Sequence, residues 1–125
     1  MGSEMCIRDR LFEVSEDVMS SVASTVSAQP QLAVLGMPED SPELGDFVPV
    51  LVDVNDPGNL GAITRSMEGA GVSTIVAVGN TVDRFNPKVI RASAGSVFRA
   101  SFISFDSLED AVKACLLYTS DAADE

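Results

Sequence analysis

The sequence predicts an α/β domain in which a parallel sheet is flanked by helices. Residues 48–54 and 73–79 are short apolar segments without alternation, as in parallel strands that are covered on both faces. Each segment is followed by a turn and then by a helical pattern, and this order indicates βαβ units with right-handed crossovers. A chain of 125 residues has room for one small domain.

The first predicted element is a short amphipathic helix that begins after Ser15. Ser15 is a suitable N-cap, and apolar residues follow it at helical spacing from Val18 to Val26. Residues 31–37 are a brief apolar run that predicts an edge strand. Residues 38–46 are acidic and contain prolines, so we expect a loop there.

The clearest pattern starts with the predicted strand at residues 48–54. It ends in a dense turn signal at residues 55–59, and a helix follows whose apolar side begins at Leu60. Gly71 lies where the glycine cap of that helix is expected. Residues 73–79 then predict the second buried strand.

A further helix is predicted for Pro87–Ala94, with Asn86 as its N-cap and Gly95 closing it. Residues 98–105 predict a third strand. Ser107 then resembles the first residue of a capping box, which predicts a last helix.

The composition excludes several classes of chemistry. The chain has no histidine, and its two cysteines form no CxxC pair, which excludes the usual zinc spacings and a histidine-based triad or general base. The net charge of -11 means that the average surface repels a phosphate backbone. No apolar run approaches the ~20 residues needed to cross a bilayer, so we expect no membrane partner and a cytoplasmic location.

Arg65 is the first candidate functional residue. It lies about 140° from Leu60 around the predicted helix and so points away from the apolar side, near the carboxyl end of a strand, where open α/β sheets bind ligands. A guanidinium there can hold a phosphate with two hydrogen bonds or stabilise an oxyanion. The alternative is an ordinary surface arginine that pairs with Glu68.

Asn59 is the second candidate. The alternative for this residue is a cap or a left-handed turn residue. The carboxylates of Asp53 and Asp56 are suited to binding a metal ion or to stabilising a turn or a helix cap. Turn and capping roles are favoured for both. The turn at residues 55–59 leaves the first backbone N–H groups of the following helix without a partner inside the helix. They can donate hydrogen bonds to an anion or to the chain's own carboxylate.

Residues 50–72 (VLVDVNDPGNLGAITRSMEGAGV) resemble the first signature motif of the SpoU, or TrmH-like, ribose methyltransferases. That motif is a hydrophobic strand, then DPxNxGAIxRTA, then small residues ending in FG. This chain departs mildly, with Ser66-Met67 in place of Thr-Ala and Ala70-Gly71 in place of Phe-Gly. Residues 88–98 (KVIRASAGSVF) resemble the family's next stretch, a helix ending in SxGA before an aromatic residue.

The resemblance implies an incomplete α/β-knot (SPOUT) domain of an enzyme that methylates a ribose 2′-hydroxyl in ribosomal or transfer RNA, with S-adenosylmethionine as cofactor. In the family, the residues that match Asn59 and Arg65 lie beside the target nucleotide, and the arginine assists deprotonation of the hydroxyl. Because a guanidinium keeps its proton at neutral pH, we expect Arg65 to bind the phosphate or stabilise the alkoxide.

The family's two later motifs, an NEGxGL-like loop and an SLNVxxA helix, do not occur in the chain. They build the knot, the adenosine pocket and much of the dimer interface of the family. The resemblance therefore predicts that the cofactor site lies outside this chain, that the chain alone is inactive, and that the parent enzyme is a homodimer.

The predicted organisation has four parts. Residues 1–10 and 115–125 are typical of translated adapter sequence at the edges of assembled fragments, so we interpret them as non-native. Residues 11–30 are interpreted as the tail of an upstream region and a linker. Residues 31–114 are the predicted truncated methyltransferase domain.

A competing hypothesis is a small Rossmann-like module that binds phosphate or a nucleotide at the turn between Gly58 and Gly61. The chain contains neither GxGxxG nor GxxxxGK[ST], so no phosphate loop of standard spacing is present. The sequence does not predict which RNA or which nucleotide the parent enzyme modifies.

Overall fold

The computed structural model describes residues 10–23, 25–27 and 29–121. The chain divides into two compact units, Met1–Gly36 and Met37–Glu125. In the first unit, helix α1 (Glu16–Val22) confirms the predicted N-terminal helix, and the Ser15 side chain accepts a hydrogen bond from the Val18 N–H.

The predicted edge strand at residues 31–37 is wrong, because this segment is irregular and pairs with no strand of the described part of the chain. Leu32, Val34 and Leu35 are all exposed. A short apolar run becomes a strand only where a neighbouring strand pairs with its backbone N–H and C=O groups. The apolar pattern of residues 31–37 does not show whether such a neighbour is present.

The second unit confirms the α/β prediction. Its elements, in order, are β1 (Val50–Val52), α2 (Pro57–Gly69), β2 (Thr74–Val78), α3 (Pro87–Ala92), a 3₁₀ turn (Ser96–Phe98), β3 (Ser101–Phe105) and α4 (Leu108–Asp121). The strands form one parallel sheet in the order β1-β2-β3. Val50 pairs with Val76, and Val76 with Ile103.

Helices cover the sheet on its two faces. On one face, Leu60 of α2 and Val89 of α3 are fully buried and pack against Leu51 and Phe102 of the edge strands. On the other face, Ala111 of α4 packs in a cluster with Val76, Val78, Ile103 and Phe105. All five residues of the central strand β2 are therefore buried.

Strand β1 is shorter and more exposed than predicted. It spans three residues rather than the whole of 48–54, and it lies at an edge of the sheet. Val50 and Val52 are 39% and 45% exposed, because α4 covers β2 and β3 on that face but leaves β1 open. The expectation that both faces of this strand are covered is wrong, although its apolar sequence is that of a covered strand.

The boundaries after β2 also differ from the prediction. Ala94 and Gly95 take left-handed conformations, with φ values of 51° and 84°, and end α3 at Ala92. The chain then forms the 3₁₀ turn, in which the Phe98 N–H donates to the Gly95 carbonyl at 3.1 Å. As a result β3 begins at Ser101 rather than at Phe98.

The predicted caps are confirmed. The Asn86 side chain accepts from the Lys88 N–H at 2.9 Å, and the Ser107 hydroxyl accepts from the Asp110 N–H and donates to the Asp110 carboxylate. Gly71, with φ at 82°, follows α2 and donates its N–H to the Glu68 carbonyl. Each cap satisfies backbone groups that a helix end leaves unpaired.

Helix α4 continues through Asp121, past residue 114, where the predicted native domain ends. The interpretation of residues 115–125 as non-native stays a prediction, and residues 1–9 lie outside the described part. Within that part, no helix has the length and apolar character needed to cross a membrane.

Candidate functional site

The carboxyl ends of β1 and β2 are joined by hydrogen bonds of Asp53. Its N–H donates to the Val78 carbonyl at 3.1 Å, and its Oδ1 accepts from the Asn80 N–H at 2.9 Å. Asp53 has a positive φ of 51°. Gly79 lies against the Asp53 carboxylate so closely that a Cβ there would collide with Oδ1. The carboxylate of Asp53 thus has a structural role at this edge.

Asp56 is the N-cap of α2. Its Oδ1 accepts from the Asn59 N–H at 2.7 Å, which confirms the capping role. A carboxylate at this position also interacts favourably with the helix dipole. Since the chain's own carboxylate takes this helix N–H, it is not left for an external phosphate. Within the described residues no group of three or more His, Cys, Asp or Glu side chains is placed to hold a metal ion.

Asn59 lies in the first turn of α2, and its side chain is exposed. It borders an open concavity of about 390 Å³ at the carboxyl end of β1. The concavity is lined by Asp53, Val54, Asn55, Asp56, Asn59, Ala62 and Ile63. The alternative interpretation of Asn59 as a cap or left-handed residue is wrong, because Asp56 is the cap and Asn59 is helical. Its amide is therefore exposed at the border of the concavity.

Arg65 is exposed on the third turn of α2. Within the described part of the chain it forms no salt bridge. The alternative that Arg65 pairs with Glu68 is wrong, because the Glu68 carboxylate is bound instead by the Arg99 guanidinium at 2.9 Å and by the Ser96 hydroxyl at 3.2 Å. The guanidinium of Arg65 is thus available to an external anion.

Asn59 and Arg65 do not share a pocket. Six residues apart on one helix, they are separated by about 9 Å along the axis and by about 120° around it. Only Asn59 borders the concavity. A ligand that reaches both side chains therefore has to extend around α2, as a polymer can.

The Glu68–Arg99 pair fixes the charges beside Arg65. The hydrogen bond from Arg99 lowers the pKa of Glu68 below its ordinary value, and the same bond raises the pKa of Arg99. Both side chains therefore stay charged around neutral pH. Because Arg99 neutralises Glu68, the nearest acid on α2 does not compete for the Arg65 guanidinium.

A second polar cluster lies at the free edge of β3, and the sequence analysis did not find it. Arg84 binds both carboxylate oxygens of Asp40 at 2.7 and 2.8 Å, and its guanidinium lies 4.4 Å from the ring centre of Phe85 and 5.1 Å from that of Phe102. Asp40 also accepts the Phe102 N–H at 2.9 Å. Asp40 and Arg84 are 44 residues apart, so no local sequence signal joins them.

These features define an α/β domain whose candidate ligand-binding side chains lie on and beside the first helix after β1. The family model described as "SpoU rRNA Methylase family" matches residues 46–120. The chain belongs to this family, which confirms the resemblance found in residues 50–72 and 88–98.

Relatives of known sequence agree with this assignment. The chain is 35% identical over 105 residues to the 23S rRNA (guanosine(2553)-2'-O)-methyltransferase RlmP of Bacillus subtilis, a match that covers 82% of this chain and 42% of the relative. It is 33% identical over 98 residues to the 23S rRNA (uridine(2479)-2'-O)-methyltransferase of Streptomyces viridochromogenes, covering 74% and 34%. The chain thus spans less than half the length of these relatives.

Solved structures show the same fold. The AdoMet-bound rRNA methyltransferase of Sinorhizobium meliloti matches with a TM-score of 0.62 and 32% identity, over 79% of this chain and 40% of that one. The SpoU methyltransferase AviRb of Streptomyces viridochromogenes, in complex with AdoMet, matches with a TM-score of 0.57 and 30% identity, over 68% and 36%.

Proposed function

We propose that this chain is part of an enzyme that methylates the 2′-hydroxyl of a ribose in ribosomal RNA with S-adenosylmethionine as the methyl donor. The observation that carries the proposal is the arrangement of Asp56, Asn59 and Arg65 on α2, in a chain whose relatives include 2′-O-methyltransferases of 23S rRNA. Asp56 starts the helix, and the other two side chains are left for a ligand.

Asn59 and Arg65 have different roles in this proposal. The Asn59 amide can donate to and accept from the target nucleotide in the concavity beside β1. The Arg65 guanidinium, exposed and without a salt bridge in the described chain, binds a phosphate next to that nucleotide or stabilises the developing alkoxide. Proton removal is then aided by the positive charge of Arg65 rather than by transfer to it.

The donor, when bound, supplies an electrophilic methyl group to the ribose oxygen. The described residues do not by themselves fit this cofactor. Open α/β sheets bind nucleotides at the switch point where the strand order reverses, and the order β1-β2-β3 contains no reversal. The concavity at the end of β1 also has a wall on one side only, since β1 is an edge strand.

The winding of the chain supports a position for the switch point beside β1. Helices α2 and α3 cover one face and α4 the other. A right-handed crossover through a helix on the second face reverses the direction of strand addition. In a protein that continues this chain to the length of its relatives, the strand after α4 would pair with β1. We propose that this pairing completes the donor site and that the 125-residue chain alone neither binds the donor nor transfers methyl groups.

Ribosomal RNA is the proposed substrate rather than transfer RNA, because the two relatives described above are both named as methyltransferases of 23S rRNA. The parent enzyme is proposed to be a homodimer on the basis of the family resemblance.

The test of the catalytic proposal is transfer of labelled methyl groups to ribosomal RNA by a protein that continues this chain through the later family motifs. Arg65→Ala should lower the rate strongly, and Arg65→Lys should retain part of it if charge is what matters. Lys113→Gln, a surface change on α4, is the matched control. Near wild-type rates in both Arg65 variants would contradict the proposed role.

The test of the donor-site proposal is calorimetric titration of S-adenosylmethionine against the 125-residue chain and the longer protein. We expect binding by the longer protein only. Binding by the short chain would mean that residues 53–95 hold a nucleotide pocket, and the Rossmann-like module would then be the better interpretation.

A further inference from the structure

The six basic residues of the unit Met37–Glu125 fall into two groups. Three of them form salt bridges with acids, and these are Arg84, Arg99 and Lys113. The other three, Arg65, Lys88 and Arg91, are exposed and form no salt bridge within the described chain. All three lie on the helix pair α2 and α3. Within the unit Met37–Glu125, the bases without an ion pair among the described residues are thus confined to one pair of helices.

The packing of the two helices places these side chains on one surface. A Cβ at Gly61 would lie 2.5 Å from the Cβ of Ala92, so the helices touch at these two residues. Arg65 follows Gly61 by one turn and Lys88 precedes Ala92 by one turn, each rotated by about 40° from the contact. Since both side chains are exposed, both rotations turn them to the solvent side of the pair.

Arg91 lies between them along the helix axes. Both helices follow parallel strands of one sheet and so run in the same direction, from the carboxyl edge of the sheet. With Gly61 level with Ala92, the order along the surface from that edge is Lys88, Arg91 and Arg65. We call these three residues the basic ridge. The contact between the helices is made by a glycine and an alanine, so no large side chain rises between the ridge residues.

The local charge also favours an anion. The two helices contain a single acid, Glu68, and its carboxylate is bound to Arg99. The ridge is therefore positive in a chain whose net charge is -11. Exposed lysine and arginine side chains without an acidic partner can bind the phosphates of nucleic acids and position the strand without reading its sequence.

We propose that Lys88 and Arg91 extend the RNA contact of Arg65 and hold the phosphate backbone of the substrate along the basic ridge. The proposal rests on the proposed function, since RNA is the expected substrate. It adds two residues that position the RNA strand and do not touch the reacting atoms. Because the ridge begins near the carboxyl edge of the sheet, a strand bound along it would lead to the concavity that Asn59 borders.

The test is the salt dependence of RNA binding by the 125-residue chain, measured without methyl donor. The chain is titrated with a labelled RNA hairpin by NMR at several low salt concentrations, and the logarithm of the binding constant is plotted against that of the salt concentration. Lys88→Gln and Arg91→Gln should each reduce the steepness of the plot by about 0.7 to 0.9 and weaken binding to two unrelated hairpins alike.

The control is Lys113→Gln, which removes the same charge from α4, on the other face of the sheet. It should leave the slope unchanged, because a distant charge makes no phosphate contact. Lys88→Arg, which keeps the charge, should retain the wild-type slope.

Two outcomes would overturn the ridge. One is a wild-type chain that shows no salt-dependent RNA binding, and the other is a slope that all three glutamine variants change equally. Neither outcome depends on methyl transfer. If the ridge fails while Arg65→Ala still abolishes methylation by the longer protein, the proposed function stands. If the slopes change as expected while the longer protein transfers no methyl groups, the ridge stands and the proposed function fails.

Discussion

Gly61→Ala tests the contact between α2 and α3 on which both the core and the basic ridge depend. The new Cβ would lie 2.5 Å from the Ala92 Cβ and 2.8 Å from both the Ser93 nitrogen and the Val89 carbonyl oxygen. Carbon atoms in contact are normally about 3.5–4.0 Å apart. Two of the three obstructing atoms are backbone atoms, one in α3 and one in its C-cap Ser93, so the strain is relieved only if the helices move apart.

The magnitude follows from two opposing terms. Overpacking of a tight core contact costs about 1–3 kcal/mol, and movement of backbone atoms places this site in the upper part of that range. Alanine in place of glycine within a helix contributes about 0.5–1 kcal/mol in the other direction. We therefore expect the free energy of unfolding to fall by about 1–2 kcal/mol. Leu60 and Val89, fully buried beside the contact, would lose packing as well.

The assay is urea unfolding of the 125-residue chain followed by circular dichroism. The matched control is Gly69→Ala, the same substitution at the last residue of the same helix, where no atom lies within 4 Å of the new Cβ. This control should stabilise the chain by up to about 1 kcal/mol, because only the helix term remains. If Gly61→Ala unfolds at the same urea concentration as Gly69→Ala or at a higher one, the close contact of the two helices is refuted.

Three further predictions follow from single contacts. Asp56→Ala should lower the free energy of unfolding by about 1 kcal/mol in the same assay, since it removes the cap of α2, and an equal loss in Asp56→Asn would contradict the capping role, because asparagine caps as well. Glu68→Gln should flatten the decline of the free energy of unfolding in acid. Because the pKa of Glu68 is lowered, the stabilisation by its charged form is present above the ordinary pKa and is lost as the pH falls through the lowered pKa. An unchanged dependence of stability on pH would show that the Glu68–Arg99 pair does not stabilise the fold. Asp40→Ala should cost about 1–3 kcal/mol, because it leaves Arg84, whose side chain is 12% exposed, without its carboxylate, and a smaller loss in Arg84→Met than in Asp40→Ala would show that the uncompensated charge is the cause.

The sequence predicted the parallel sheet because its signals are local. The apolar runs of β1 and β2, the caps Asn86 and Gly71, and the turn before α2 each act within a few residues, and each was found in its predicted place. The edge position of β1 was not predictable, since its continuous apolar run is the pattern of a strand covered on both faces, whereas the structure leaves one face open. The prediction of a strand at residues 31–37 was wrong for a related reason, because strand pairing depends on a partner far away in the sequence.

The candidate site shows the same division. The positions of Asn59 and Arg65 on α2 follow from the motif and from helical spacing, and the structure leaves both side chains exposed. The partner of Glu68 did not follow, because Arg99 is 31 residues away and reaches it only after the chain has passed through β2 and α3. Helical i, i+3 spacing therefore predicted the wrong partner for Glu68, Arg65 instead of Arg99.

The hydrogen bonds of the two aspartates decide what kind of chemistry this edge of the sheet can support. Asp53 and Asp56 are the two carboxylates that line the concavity, and in each the Oδ1 atom accepts a backbone N–H that holds a strand end or a helix start. A carboxylate with such a role cannot move to follow a substrate hydroxyl without releasing the backbone it supports. The chain also contains no histidine. Apart from these two carboxylates, the polar side chains of the described residues that line the concavity are the amides of Asn55 and Asn59, which can bind and orient a nucleotide. The Arg65 guanidinium lies outside the concavity on the same helix and can contribute its charge. This is why the proposed role of Arg65 is electrostatic, and why the substitution that keeps its charge is the informative one.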